Sequence, residues 1–155
     1  MTFRRRSRDR LVGAMLLGLA VLILPGPWRA LAAGEPGLQT RTVPVGAEGR
    51  YTDVSTAGLA RLLENKSFAL INVHTPYAGE IRPTDLFIPF DQVEANLSKL
   101  PADKRARLVV YCRSGAMSAI AARTLVQLGY TDVWNLDGGM VAWADAGHAI
   151  ARRSR

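Results

Sequence analysis

A short apolar strand that leads directly into a small polar loop and then a helix constrains this chain more than any other feature. Leu108–Tyr111 is a continuous apolar run, which is typical of a buried strand in a parallel sheet. From Met117 onward, apolar residues recur at helical spacing, and Gly129 supplies a C-terminal stop. The sequence therefore predicts a strand–loop–helix unit of an α/β fold.

The only cysteine of the chain, Cys112, lies where this strand meets the loop. Residues 113–116 are small and mostly polar, so their backbone N–H groups can converge with those of the helix N-terminus on an anion. The positive helix end and the Arg113 guanidinium both favour a thiolate. The pattern predicts an anion-binding cradle around a nucleophilic sulfur. The alternative is an inert core cysteine, from which a reactive thiol would differ by being partly exposed.

The segment that starts at this strand resembles a known family. The string VVYCRSGAMSAIAARTLVQLGYTDVWNLDGGMVAW, which begins at Val109, is similar to the C-terminal half of a rhodanese-like sulfurtransferase domain. The resemblance extends over residues 51–150, and its most specific parts are the cysteine loop and LDGGMVAW. It implies a single rhodanese-like domain whose loop cysteine takes a sulfane sulfur from a donor such as thiosulfate. The resulting persulfide then passes the sulfur to a thiol or to cyanide.

The resemblance also implies roles for the residues of the loop. Cys112 would be the catalytic nucleophile, and the residues after it would hold the persulfide charge through N–H groups and serine hydroxyls. These substrate-binding residues are Arg113, Ser114, Gly115, Ala116, Met117 and Ser118. The expected partner is a small sulfur-containing anion, or a persulfide or thiol on another protein. No cofactor is expected, and Cys112 with the two histidines of the chain makes no convincing metal site.

Two positions of the loop separate this chain from its relatives. Rhodanese loops often carry an arginine five residues after the cysteine, where this chain has Met117. A charge-assisted hydrogen bond contributes on the order of 1.5–3 kcal/mol, so we expect weaker use of thiosulfate than in relatives that keep this arginine. A less charged or larger sulfur donor, or a protein persulfide, would suit the site better. Phosphatase relatives need a loop one residue longer, with arginine at the position of Ser118. Phosphatase and arsenate-reductase chemistry is therefore disfavoured.

A second candidate region follows the buried strand predicted at residues 68–73. The family usually has Asp-Val-Arg at the end of this strand and Gly-His-Ile further on, whereas this chain has Asn-Val-His at 72–74 and Gly-Glu-Ile at 79–81. Asn72 can donate and accept hydrogen bonds but supplies no carboxylate. His74 lies where ligands bind in open α/β sheets, so both residues could support the site from the neighbouring strand. The alternative for His74 is a loop histidine bonded to nearby backbone.

The remaining apolar pattern alternates strands and helices. This order predicts a mainly parallel five-stranded sheet with helices on both faces. The glycine pair after residue 137 predicts a tight turn, because no strand-Gly-x-Gly-x-x-Gly-helix unit surrounds it. The predicted strands are residues 50–54, 68–73, 87–90, 108–111 and 133–136, and the predicted helices are residues 56–65, 91–100, 117–128 and 140–146.

The first 32 residues have the organisation of a secretory signal peptide. Arginines cluster at residues 4–10, and an uncharged apolar stretch at residues 11–24 is too short to span a bilayer comfortably. Small residues at 30–32 suit cleavage before Ala33. We therefore expect an exported protein, periplasmic or secreted, without stable membrane insertion after cleavage. An uncleaved signal anchor, which would leave the protein membrane-anchored, is the alternative.

Composition divides the rest of the chain into three parts. Residues 33–50 are rich in glycine and proline and are predicted to be a linker, residues 51–150 the domain, and residues 151–155 a basic tail. Much of the net charge of +7 lies in residues 1–32, which carry six arginines and one aspartate. The nearly neutral domain has no basic stripe with interleaved aromatic residues, so nucleic acid is not an expected partner.

Overall fold

Six strands form one sheet in a computed structural model that describes residues 38–152. Their spatial order is β1-β2-β6-β5-β3-β4, and every neighbouring pair is parallel except β1 with β2. In chain order the strands are β1 (Thr40–Val45), β2 (Gly49–Val54), β3 (Ala69–Asn72), β4 (Leu86–Phe87), β5 (Leu108–Tyr111) and β6 (Val133–Leu136).

Helical layers cover both faces of this sheet. One apolar cluster packs α1 and α3 against the sheet through residues such as Leu59 and Trp143, and the other packs α2 through Leu125 and Val126. This arrangement confirms the predicted mainly parallel α/β fold. The helices are α1 (Thr56–Glu64), α2 (Ala116–Gln127) and α3 (Gly139–Asp145), together with two 3₁₀ segments, Phe90–Gln92 and Glu94–Lys99, on the α2 face.

Local sequence signals explain most of these boundaries. Ser55 caps α1, because its hydroxyl accepts a hydrogen bond from the backbone N–H of Gly58 at 3.1 Å. All four residues of β5 are buried, in agreement with an unbroken apolar run at the sheet centre. This central strand, which leads directly into Cys112, is therefore covered on both faces.

The prediction of five strands is wrong, since the sheet has six. The extra strand, β1, lies inside the stretch that was predicted to be a linker, and it pairs antiparallel with β2. As an edge strand it buries one side chain, Val45, and its Pro44 is tolerated because an edge strand has one unpaired side. The guanidinium of Arg41 also pairs with the buried carboxylate of Asp53, whose other oxygen accepts from Asn135 at 2.8 Å.

The predicted helix over residues 91–100 is also incorrect in type. Two short 3₁₀ segments replace it, and Asn96 has non-helical angles of φ −111° and ψ 21°. The Asn96 side-chain amide donates to the carbonyl of Gln92 at 2.8 Å and so takes the acceptor that an α-helix would use.

The ends of the chain bear on three predictions. The predicted signal peptide, residues 33–37 of the linker and residues 153–155 of the basic tail lie outside the described residues. Ala151, which the sequence places in the tail, instead pairs with Glu80 in an antiparallel bridge. Each residue's backbone N–H donates to the other's carbonyl, with an N···O distance of 2.8 Å in both bonds. Between residues 38 and 152, no helix has the length and apolar character needed to cross a membrane.

Candidate functional site

Cys112 follows the last residue of β5, at the carboxyl edge of the parallel sheet. Its sulfur accepts a hydrogen bond from the backbone N–H of Gly115 at 3.1 Å. The side chain is 1% exposed, so the expectation of a partly exposed thiol is wrong. The polar donor at Sγ nevertheless separates this cysteine from an inert core residue, because an apolar pocket would offer the sulfur no N–H group.

A buried hydroxyl gives the sulfur a second polar neighbour. Ser118 Oγ lies 3.4 Å from Cys112 Sγ and 3.1 Å from the carbonyl oxygen of Gly115. One hydroxyl carries a single hydrogen, so it can donate to only one of these acceptors at a time. When the sulfur is a thiol, it can donate to Ser118 Oγ while the Ser118 hydroxyl donates to the Gly115 carbonyl. When the sulfur is a thiolate, it can accept the hydroxyl hydrogen instead. Ser118 therefore suits either protonation state of the sulfur.

The loop reaches α2 through a left-handed glycine. Gly115 has φ +95° and precedes the helix, whose first internal bond runs from Ala119 N–H to the Gly115 carbonyl at 3.0 Å. As at any helix start, the N–H groups of residues 116–118 have no acceptor within the helix. With the Gly115 N–H already at the sulfur, this end of α2 places backbone donors next to Cys112, and the anion-binding cradle stays a prediction.

A second helix, α3, begins against the same loop. The sequence predicts this helix but not its contact with the loop. At the start of α3, Met140 N–H donates to the Cys112 carbonyl and Val141 N–H donates to the Arg113 carbonyl, both at 2.9 Å. Gly139 makes this approach possible, because a Cβ there would lie 2.4 Å from the Cys112 carbonyl oxygen. The glycine pair looked like turn chemistry alone, and its sequence offers no signal for the contact beyond the family resemblance.

Two buried polar side chains hold the segment after β3 beside the cysteine loop. Asn72 accepts from the backbone N–H of His74 at 3.0 Å and donates to the Gly79 carbonyl at 2.8 Å, which confirms its predicted hydrogen-bonding capacity. The hydroxyl of Tyr111 accepts from the backbone N–H of Ile81 at 3.0 Å. Burial raises the pKa of Tyr111 to about 12, so the phenol stays neutral. Both residues position the site.

His74 lies close enough to Arg113 for the two side chains to interact electrostatically. Burial first, and the Arg113 guanidinium second, hold the pKa of His74 below its ordinary value of 6.5. Its Nδ1 atom is buried, and no hydrogen-bond partner for it is found among the described residues. The imidazole is therefore neutral near pH 7. The structure shows no hydrogen bond between Nδ1 and nearby backbone, so the alternative for His74 does not hold at this nitrogen.

The other predicted binding residues divide between the rim and the core. Arg113, Ser114 and Ala116 are exposed, so they are available to a molecule that approaches the loop. Met117 is partly buried and packs against the apolar cluster on the α2 face. Among residues 38–152, no group of three or more histidine, cysteine, aspartate or glutamate side chains could hold a metal ion.

A cleft of about 300 Å³ adjoins the cysteine loop on the α3 side. Arg113 forms part of its wall, and α3 contributes an apolar surface that includes Val141, which is 40% exposed. Large side chains that are both apolar and exposed are rare in the described part of the chain. The complete lining is Ala78, Arg113, Met140, Val141, Ala144, Asp145 and Ile150.

Comparisons with known proteins show what this chain is similar to. Residues 57–146 match the family model described as the rhodanese-like domain. A sulfurtransferase of Allochromatium vinosum is 38% identical over 58% of this chain and 84% of its own length. The thiosulfate sulfurtransferase GlpE of Shewanella oneidensis is 47% identical over 62% of this chain and 95% of its own. The solved structure of a rhodanese-like domain protein from Staphylococcus aureus is 29% identical, with a TM-score of 0.55, over 66% of this chain and 98% of that one.

Gly139→Ala should destabilise the protein more than Gly147→Ala. Both glycines have positive φ, but a Cβ at Gly139 meets the Cys112 and Arg113 backbone, whereas none of the described atoms lies within 4 Å of a Cβ at Gly147. We expect an additional loss of about 1–3 kcal/mol in the free energy of unfolding for Gly139→Ala, measured by urea titration. Equal losses in the two variants would contradict the close packing of α3 on the cysteine loop.

His74→Gln should make the protein less sensitive to acid. The folded state lowers the pKa of His74 from 6.5, so below pH 6.5 the unfolded chain binds this proton before the folded protein does. The free energy of unfolding of the wild type should therefore fall more steeply between about pH 7 and 5 than that of the variant. Urea titrations across this range measure the difference, and parallel curves would show that folding does not hold the imidazole neutral.

Proposed function

This chain belongs to the rhodanese-like domain family, and we propose that it is a sulfurtransferase that carries sulfur as a persulfide on Cys112. The observation that carries the proposal is the polar setting of one buried sulfur. The Gly115 backbone N–H and the Ser118 hydroxyl both lie within hydrogen-bond distance of Sγ, at the N-terminus of α2. These groups stabilise negative charge on sulfur, as thiolate and as persulfide.

In the first half of the reaction, the Cys112 thiolate attacks the outer sulfur of a donor such as thiosulfate. A bond forms between Sγ and that sulfur, and the sulfur–sulfur bond of the donor breaks. The electron pair of the broken bond leaves with sulfite. The negative charge then moves to the terminal sulfur of the Cys112 persulfide, next to the start of α2. Arg113 at the rim attracts the anionic donor.

In the second half, an acceptor thiolate or cyanide attacks the terminal sulfur of the persulfide. The sulfur–sulfur bond to Cys112 breaks, and the thiolate is regenerated. Cys112 is buried, but the acceptor attacks the outer sulfur of the persulfide and does not need to reach Sγ itself. A persulfide extends the side chain by one sulfur–sulfur bond of about 2.05 Å, so the transferable atom is the more accessible one.

The proposal extends to the site of action. The arginine cluster and apolar stretch at the start of the chain support export, with the transfer taking place outside the cytoplasm. A free cysteine in an oxidising compartment is protected by burial, and Cys112 is 1% exposed. Physiological donors and acceptors would then be small sulfur anions, or the thiols and persulfides of other exported proteins.

Cys112→Ser in the full chain tests the proposed function. We expect the wild type to produce thiocyanate from thiosulfate and cyanide, and to gain one sulfur atom when the donor is supplied alone. Both signals should disappear in the variant, because a serine hydroxyl cannot form the persulfide. Colorimetric thiocyanate assays and intact-protein mass spectrometry measure them, with thermal unfolding as the check that the variant is folded.

The possible results separate three roles for the protein. Turnover that depends on Cys112 supports a sulfurtransferase. A persulfide without turnover would instead make the protein a sulfur carrier or a binding module for a redox partner. If thiosulfate and other sulfane donors leave Cys112 unmodified in a folded protein, the proposed function is wrong.

Met117→Arg should increase the use of thiosulfate. An arginine at this position could keep its stem on the apolar surface that Met117 covers and extend its guanidinium toward the loop. We expect kcat/KM for thiosulfate to rise about tenfold or more, the effect of one charge-assisted hydrogen bond. Gln127→Arg, at the other end of α2, controls for the added charge. Equal rates in the two variants would show that the loop does not lack this contact.

A further inference from the structure

We infer that His74 and Arg113 form a pair at the rim of the cysteine loop that recognises a small dianion, with the imidazole taking up one proton as the anion binds. The inference rests on the proposed function, in which Arg113 attracts an anionic donor such as thiosulfate. It gives His74 a role in the specificity of that step, and it makes the affinity of the site for a dianion depend on pH.

The two side chains follow neighbouring strands at the same edge of the sheet. Asn72 pairs with Tyr111 in the parallel register of β3 with β5, and the N–H of Val73 donates to the Tyr111 carbonyl at 2.9 Å. His74 and Arg113 each come two residues after this pair, so they occupy matching positions beyond the strands. The bond from the His74 N–H to the Asn72 side chain, at 3.0 Å, fixes the backbone at this point.

The surroundings of the His74 ring suit its neutral form. Its Nδ1 atom is buried, and no hydrogen-bond partner for it is found between residues 38 and 152. A neutral ring can carry its hydrogen on Nε2, whereas a protonated ring has N–H groups at both nitrogens. Protonation would therefore bury a donor without an acceptor and add a positive charge beside Arg113. In agreement with these costs, burial and then the Arg113 guanidinium lower the pKa of His74.

An anion bound at Arg113 reverses part of this balance. Its negative charge offsets the field of the guanidinium at the ring, so the imidazolium becomes less costly. Proton binding and anion binding are then linked, and the linkage is reciprocal. The factor by which the anion raises the proton affinity of His74 is also the factor by which the proton raises the affinity for the anion.

The charge that His74 would add is large in relation to the charge already present. Residues 113–118 contain one charged side chain, that of Arg113, so a protonated His74 doubles the positive charge next to the loop. A dianion gains more from this second charge than a monoanion does, because the attraction is proportional to the product of the charges. The pair is therefore selective for the more highly charged anion when the ring is protonated.

Other groups near the ring must be separated from its titration. Cys112 is the one among them whose ordinary pKa lies nearest to that of histidine, so replacing it by serine removes the main source of confusion. The groups that the neighbouring elements carry are Cys112 and Arg113 on the cysteine loop, Tyr77 and Glu80 on the same segment as His74, and Asp91 after Phe90, whose N–H donates to the Val73 carbonyl at 3.0 Å.

A histidine titration by NMR tests the linkage directly. The full chain with Cys112→Ser binds thiosulfate without reacting, and it has two histidines, His74 and His148. We expect thiosulfate, at constant ionic strength set with chloride, to raise the pKa of His74 by about one pH unit. The pKa of His148, which stacks on Trp143 beyond the other end of α3, should stay the same. Adding Arg113→Gln should abolish the change at His74.

Donor use by the reactive protein should follow the same proton. We expect the ratio of kcat/KM for thiosulfate between wild type and His74→Gln to be near one at pH 8 and to rise toward about tenfold as the pH falls through the acid range. The ratio removes the titration that Cys112 has in both proteins. His74→Arg carries a permanent charge, so its ratio to His74→Gln should be about tenfold at every pH. Thermal unfolding verifies that each variant is folded.

The outcomes separate this inference from the proposed function. A rise in the pKa of His74 that His148 does not share supports the pair. No rise at His74, an equal rise at both histidines, or a kinetic ratio that does not change with pH would overturn it. If the wild type forms no thiocyanate and no persulfide while thiosulfate still raises the pKa of His74, the sulfurtransferase proposal fails and the anion-binding pair stands.

Discussion

The site depends on the contact between the start of α3 and the backbone of the cysteine loop. No side chain caps α3, and the carbonyls of Cys112 and Arg113 accept its first N–H groups instead. In a trans peptide, the carbonyl and the next N–H point in opposite directions. Carbonyls that face α3 therefore turn the N–H groups of Arg113 and Ser114 away from it. One contact thus completes the helix and orients the loop.

This contact is effective because the parallel sheet brings the parts together. The carboxyl ends of β5, β6 and β3 lie at one edge, so the cysteine loop, the turn before α3 and the segment around His74 become neighbours although they are distant in sequence. Buried hydrogen bonds of Asn72 and Tyr111 then fix the last of these segments. The polar groups that contact the sulfur come from its own loop and α2, whereas distant segments hold this loop in place.

Prediction from the sequence succeeds for features that depend on local pattern and fails for features that depend on contacts between distant segments. Strands β5 and β6 depend on local pattern, and their predicted bounds agree with the structure. Edge strand β1 has few buried side chains, so its pairing with β2 left almost no apolar signal. The close approach of Gly139 and the burial of Cys112 are contacts between distant segments. Neither has a periodicity or a local spacing that the sequence could reveal.

The loop also lacks positive charges that the family pattern has. This chain has Met117 where rhodanese loops often carry an arginine, and His74 where the family usually carries one. Arg113 is the positive residue of the cleft lining, and Asp145 opposes it. Long-range attraction of small anions is then weak, because it follows the summed charge rather than one residue.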